Sequence, residues 1–268
     1  MSNFIFFCYN ILIFYKKVVN VNYCIVGDVH GEYKALLNLI AKTPLNSKLL
    51  FVGDLIDRGM ESAKVVRFIR NNKIQCVQGN HELMMIDFGI KFINDIENDK
   101  CIEQENTWLQ HGGKETLLSY GLISIKNNKM IPHPFIKDFI FQFKDDIEWM
   151  KELPLYIELD VTHKSRRKVV ISHSAITSVW KLRTSEEHQK RFSNTTLWGR
   201  VKPIDTEPIF NIFGHTPQQY SIDIDKHYVN VDTGCYMKTE SGYGVLSAYC
   251  IETGEVYSSS DLSFAKVS

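Results

Sequence analysis

Gly27-Asp28-Val29-His30-Gly31 follows the apolar run Val21-Asn22-Tyr23-Cys24-Ile25-Val26. The run is β-rich and short, as a buried strand should be. Beyond the glycines the period changes: Ala35, Leu36, Leu37, Leu39 and Ile40 recur at helical spacing. The pentapeptide therefore reads as a strand-to-helix turn. Asp28 and His30 are two apart on what should be nearly extended backbone, so their side chains are expected to leave the same side. A carboxylate and an imidazole converging at a strand's carboxyl end make half of a metal site. Singly, such a pair is also an ordinary turn, because Asp and Gly are turn residues. Later strand ends decide between the two.

Two more units follow the same plan. Lys48 to Val52 is apolar and ends in Gly53-Asp54-Leu55-Ile56-Asp57-Arg58-Gly59, after which Ser62 to Ile69 reads as a helix. Ile74 to Val77 ends in Gly79-Asn80-His81-Glu82, and Leu83 onward is helical again. Three strand–turn–helix units in succession predict parallel βαβ connections, with the polar turns at the carboxyl edge where such sheets bind ligands.

Residues 91–150 read as a helical insert on one flank, with helices over Thr107–Tyr120 and Pro134–Met150 and Asn94–Lys100 as a loop or fraying helix end. Gly112-Gly113 should bend the first helix. Trp108, Trp149 and the Phe139/Phe143 stripe are expected in the core. From Leu155 the chain is β-rich again. Leu155–Leu159 and Lys168–Ile171 flank a basic hairpin tip, and the second ends in Ser172-His173-Ser174. A charged segment, expected helical over 181–194, leads to Leu197-Trp198-Gly199-Arg200. Ile209–Phe213 ends in Gly214-His215-Thr216, and Tyr228–Val231 ends in Asp232-Thr233-Gly234. Strands over 244–250 and 256–258 close the half, joined by a Thr253-Gly254 turn.

Composition sets the class. The chain has 268 residues, 44% hydrophobic and 23% charged, which suits a globular protein with one large core. Its formal net charge is zero, so it lacks the electrostatic footprint of a nucleic-acid binder. Six cysteines include no Cys-x-x-Cys pair, and Cys24 and Cys76 sit in strand runs as small hydrophobes. A reducing, cytoplasmic setting is the expectation. The apolar run Phe4–Tyr15 is shorter than the ~20 residues a membrane span needs. It should pack as a strand or helix, with no stable membrane association. Residues 1–20 are an amino-terminal extension, 21–260 one catalytic domain and 261–268 a tail.

Taken together, five strand ends offer Asp28 with His30, Asp54, Asn80 with His81, His173, and His215. A dinuclear site fits this inventory: Asp28 and His30 on one metal, Asn80, His173 and His215 on the other, Asp54 bridging. Mixed nitrogen and oxygen ligation suits Mn, Fe or Zn better than Ca or Mg.

At these residues the chain resembles the phosphoprotein-phosphatase branch of the calcineurin-like metallophosphoesterases. The motifs are GDVHG (27–31), GDLIDRG (53–59), GNHE (79–82), the strand-end His173 and GHT (214–216). The Trp-Gly-Arg at 198–200 looks most like bacterial and phage lambda-type serine/threonine protein phosphatases. The resemblance implies an α/β fold of four layers, two mixed β-sheets packed face to face and flanked by helices. It implies two divalent cations, Mn(II) first, and the ligand set above, with His81 as the catalytic imidazole. The expected reaction is hydrolysis of phosphoserine or phosphothreonine by in-line attack of a hydroxide shared by the two metals. Asp57 would orient His81 and keep it cationic, while Arg58 and Arg200 clamp the phosphate with forked hydrogen bonds. His81 would protonate the leaving alkoxide. Substrates would be phosphorylated proteins or small phosphoesters.

Two rivals remain. A symmetrical diadenosine tetraphosphatase is built on the same motifs, and His173-Ser174-Ala175-Ile176 looks somewhat like that group. Those enzymes typically lack an acid before the motif arginine, where Asp57 stands, and carry Gly-His-Trp in place of Gly-His-Thr. An inactive scaffold on this fold would have lost a ligand or the catalytic histidine, and all are present. Ser174-Ala175 stand where the family usually has glycine or alanine directly after the strand-end histidine, which bears on backbone geometry there.

Overall fold

A computed structural model describes residues 22–260. The expectations for Phe4–Tyr15, for residues 1–20 and for the tail 261–268 lie outside the described residues.

The first half builds three parallel units. Strand β1 (Tyr23–Val26) leads to helix α1 (Tyr33–Lys42), β2 (Lys48–Phe51) to α2 (Ser62–Asn71), and β3 (Gln75–Cys76) to α3 (Asn80–Glu97). Strands β1, β2 and β3 are parallel neighbours, as the repeated pattern predicts. Their helices bury the apolar stripe that the spacing marks: Leu36 and Leu39 on α1, Val65, Val66 and Ile69 on α2.

The flank differs from the expected helical insert. Helix α3 continues through Asn94 to Glu97, so that segment holds the end of a helix, the second of its two readings. After α4 (Lys114–Ser119) the chain forms a hairpin, β4 (Ile123–Lys126) and β5 (Lys129–Pro132), before α5 (Ile136–Lys151). Asn127 and Asn128 turn it at φ 49° and 58°. Asparagine tolerates this left-handed conformation, and a two-residue hairpin needs it twice. Phe143 is fully buried and stacks on Trp108, whereas Phe139, expected in the same stripe, is 42% exposed.

The second half supplies β6 (Tyr156–Thr162), β7 (Lys168–Ser172), α6 (Gln189–Trp198), β8 (Ile209–Phe213), β9 (Asp223–Ile224), β10 (Tyr228–Asn230), β11 (Ser247–Cys250) and β12 (Val256–Ser258). The expected helix over 181–194 is two 3-10 turns followed by α6. Two five-stranded mixed sheets result, ordered β12-β11-β1-β2-β3 and β6-β7-β8-β10-β9.

Alternation along the strands sets the layers. Ile25, Leu50 and Val52 of the first sheet pack with Val169, Ile171, Phe210, Ile212, Val229 and Val231 of the second. Their neighbours point the other way: Val26 and Phe51 meet α1–α5, and Val170 and Ile209 meet Trp180 and Phe192. Strands covered on both faces read as continuous apolar runs, which is why no alternation shows in the sequence. Each fully buried Val, Leu or Ile contributes about 1.5–3 kcal/mol. Four layers follow: helices, sheet, sheet, and the α6 side.

One cysteine reading is overturned. Cys24, expected as a free small hydrophobe, is joined to Cys250 in a disulfide. Antiparallel pairing of β1 with β11 places the two residues opposite each other across 226 residues of chain.

Candidate dinuclear metal site

Every candidate ligand arrives at one edge, where β1, β2, β3, β7 and β8 end. The backbone there is unusual. His30, Asp54, Asp57, Arg58 and His215 all have positive φ, between 46° and 72°. For residues other than glycine this conformation costs on the order of 1–3 kcal/mol each and persists only where surrounding contacts enforce it. It also corrects the extended geometry expected for Asp28-Val29-His30. His30 turns to Asp54 and His81, while Asp28 accepts the His215 amide at 3.2 and 3.1 Å.

Two groups of ligand atoms form, His30 with Asp54 and His81, and Asp54 with His173 and His215. Asp54 belongs to both, as a bridging residue must. Its oxygens lie 3.6 Å from His30 Nε2 and 3.4 Å from His173 Nε2. Burial alone would raise its carboxyl, but His173, His81, His30 and His215 around it hold it well below the usual range.

The donor set fits cations. His173 donates Nδ1–H to the Val52 carbonyl at 2.9 Å, which leaves a lone pair on Nε2. That lone pair faces Asn80 Oδ1 at 2.9 Å, a second acceptor, and His215 Nδ1 at 3.0 Å. Burial lowers the pKa of His173, and burial with His173 beside it takes His215 down to about 3, so both rings stay neutral. His215 Nε2 is buried without any hydrogen-bond partner. Converging acceptors of this kind are costly in a dry interior unless positive charge lies among them. On the other side, His30 donates Nδ1–H to the Ile56 carbonyl at 2.9 Å. Its Nε2 meets Arg58 Nη1 at 3.1 Å, and His81 Nε2 meets Nη2 at 3.2 Å. The His30 lone pair therefore faces the Arg58 guanidinium.

Asp28 stands in neither group but is buried beside them. Burial, then the charges of Asp232 and Asp54, raise its carboxyl well above the usual range. Asp232, itself pushed up to about 7 by burial, is a site residue the sequence reading did not name. Its signal was visible: Val231-Asp232-Thr233-Gly234 ends a strand as the other motifs do.

His81 is held by Asp57. Nδ1 donates to Asp57 Oδ2 at 2.7 Å, and both residues are buried. Burial would lower the His81 pKa, yet Asp54 and the bond to Asp57 raise it on balance. Arg58 lies over the Tyr236 ring, 4.1 Å from its centroid. No sequence signal marked Tyr236. Arg200 is exposed and makes no hydrogen bond or ion pair among the described residues, but its charge acts on His173, His215 and Asp232.

Ser174 explains its own departure from the family. Its hydroxyl meets the Thr195 and Thr196 carbonyls at 2.5 and 2.9 Å, tying the end of β7 to the last turns of α6, which carry Trp198-Gly199-Arg200. Glu82 accepts from the Asp54, Leu55 and Gly79 amides and so fixes the two neighbouring loops.

A family model described as calcineurin-like phosphoesterase matches residues 21–219. The chain belongs to that family, and with its hydrolase relatives this makes it a phosphoester hydrolase. It is similar to the symmetrical bis(5'-nucleosyl)-tetraphosphatase of Wigglesworthia glossinidia brevipalpis, 27% identical over 260 residues, covering 82% of this chain and 94% of that one. Serine/threonine-protein phosphatase 1 of Salmonella typhimurium is 26% identical over 214 residues, 78% of this chain and 85% of its own. A crystal structure of a candidate diadenosine tetraphosphatase matches the fold with a TM-score of 0.55 at 19% identity, covering 90% of this chain and 94% of that one.

Proposed function

We propose that the protein is a metal-dependent phosphomonoesterase acting on phosphoserine and phosphothreonine in proteins. The observation that carries this reading is the buried His81–Asp57 pair, 2.7 Å apart, beside Asp54 and Arg58. An imidazole held on a carboxylate serves a substrate whose leaving group needs a proton, and a serine alkoxide is such a group.

In this reading Asp28 and His30 would hold one divalent cation, Asn80, His173 and His215 the other, and Asp54 would serve both. When bound, the pair supplies Lewis acidity and lowers the pKa of a water enough to give a nucleophile at neutral pH. Mn(II) is the first choice for the mixed donor set, with Fe and Zn the others. Arg58 and Arg200 hold non-bridging phosphate oxygens, Arg58 from a guanidinium steadied on Tyr236. His81 passes the proton on Nε2 to the departing oxygen while Nδ1 stays on Asp57.

Hydrolysis of dinucleoside polyphosphates is the second reading, favoured by the likeness to the Wigglesworthia enzyme along 94% of that chain. A panel with Mn(II) supplied separates the two. Phosphoserine and phosphothreonine peptides should show at least tenfold higher kcat/KM than diadenosine tetraphosphate, and phosphotyrosine peptide should fall between. A tenfold preference for diadenosine tetraphosphate would replace the first reading with the second.

A further inference from the structure

We propose that Trp108 and Thr116 are positioning residues of the proton donor, setting the Asp57 carboxylate that in turn sets His81. This rests on the reading of His81 as general acid. The indole Nε1–H of Trp108 donates to both Asp57 oxygens, at 3.0 Å each. Thr116 Oγ1 donates to Oδ1 at 2.6 Å and accepts the Asp57 amide at 3.0 Å. His81 Nδ1–H takes Oδ2 at 2.7 Å. An ionised carboxylate offers about four lone-pair sites, and these bonds use them.

The pattern is more than a satisfied core tryptophan. A buried indole needs a partner, and any backbone carbonyl would serve. This one reaches across 51 positions to the carboxylate that holds the catalytic imidazole, and bonds both of its oxygens. The donors are also neutral. Among the described residues the only ion-pair partner of Asp57 is His81. A lysine or arginine in place of Trp108 would satisfy the same lone pairs but would offset the charge that acts on the imidazole. Neutral donors fix the orientation and leave that charge for His81.

The indole itself is fixed. It is 1% exposed, stacks on Phe143 with ring centroids 6.4 Å apart, and lies against Gly113, where any Cβ would strike the ring. Asp57 has φ 72°, and Thr116 holds its amide and its carboxylate together. Trp108 and Thr116 therefore position the acid through Asp57.

The test uses leaving-group dependence. Trp108→Phe keeps the ring and removes the N–H, Thr116→Val keeps the shape and removes the hydroxyl, and Thr116→Ser restores it. Losing one hydrogen bond to a charged group should cost roughly ten- to hundredfold. Trp108→Phe and Thr116→Val should lower kcat on phosphoserine peptide by that factor with KM unchanged, and lose distinctly less on p-nitrophenyl phosphate, whose phenolate leaves unaided. Metal content should stay near the parent's, the variants should remain folded at the assay temperature, and Thr116→Ser should recover most of the rate. Equal losses on both substrates, or no loss on phosphoserine, would overturn the proposal. If Trp108→Phe fails to fold, the Thr116 pair decides by the same criterion. His81→Asn is measured alongside. If it discriminates the substrates and the other variants do not, only this inference falls. If it loses equally on both, the general-acid reading falls and this inference with it.

Discussion

Asp54 is the one residue that stands in both groups of candidate ligands. It lies within 3.8 Å of His30, His81 and His173 through its two oxygens, and its amide is held by Glu82. The left-handed backbone at φ 49° is part of the same arrangement, because it turns the carboxylate between histidines from three different strand ends. Asp54→Asn keeps the shape and removes the charge that both ligand groups share. The variant, purified with excess Mn(II), should bind metal at neither site and lose turnover by at least a thousandfold, an order set by the loss of metal-assisted attack. Metal analysis by mass spectrometry beside kcat checks this. Two bound metals and near-normal rates in the variant would end the bridging assignment.

At the scale of elements, the bend ahead of α4 places the motif that carries Arg58. Gly112 has φ 107°, its carbonyl accepts the Arg58 amide at 3.3 Å, and a Cβ there would strike the Arg58 backbone nitrogen. Only glycine permits both the dihedral and the approach. Gly112→Ala should therefore push Arg58 off its place over Tyr236 and lower kcat/KM on the order of ten- to hundredfold, mostly through KM. Gly121→Ala is the control. Gly121 has φ 70° too, but its nearest neighbour to a new Cβ is Phe139 at 3.5 Å, far from Arg58. It should cost stability without the change in KM. Equal kinetic effects in both variants would show that general destabilisation, not contact with Arg58, is responsible.

For the whole molecule, the two sheets meet through a dry apolar layer and spend their carboxyl edge on converging acceptors. Cations bound among such acceptors would link metal binding to folding stability. Saturation at 100 times the dissociation constant contributes ~2.7 kcal/mol. Stripping the metals with a chelator should then lower the thermal midpoint by roughly 5–10 °C for a chain of this size. Differential scanning calorimetry before and after chelation, with Mn(II) restored, measures it. An unchanged midpoint would mean that the edge is stable without cations.

Much of this was readable in the chain alone. The strand–turn–helix repeat over residues 21–90 predicts β1, β2 and β3 as parallel neighbours, because period and punctuation are local properties. The motif residues reach one edge for the same reason: each directly follows a buried strand, and strand direction carries it there. What folding alone decided is long-range. Cys24 meets Cys250, and Trp108 meets Asp57, through pairings that no spacing encodes. His30 leaves the extended geometry that spacing suggests because its backbone turns left-handed, a strain that only the contacts around it can sustain. Phe139 and Phe143 share a helical stripe by sequence, but packing buries just one. Local pattern marks which residues can do chemistry, and tertiary packing chooses what each of them faces.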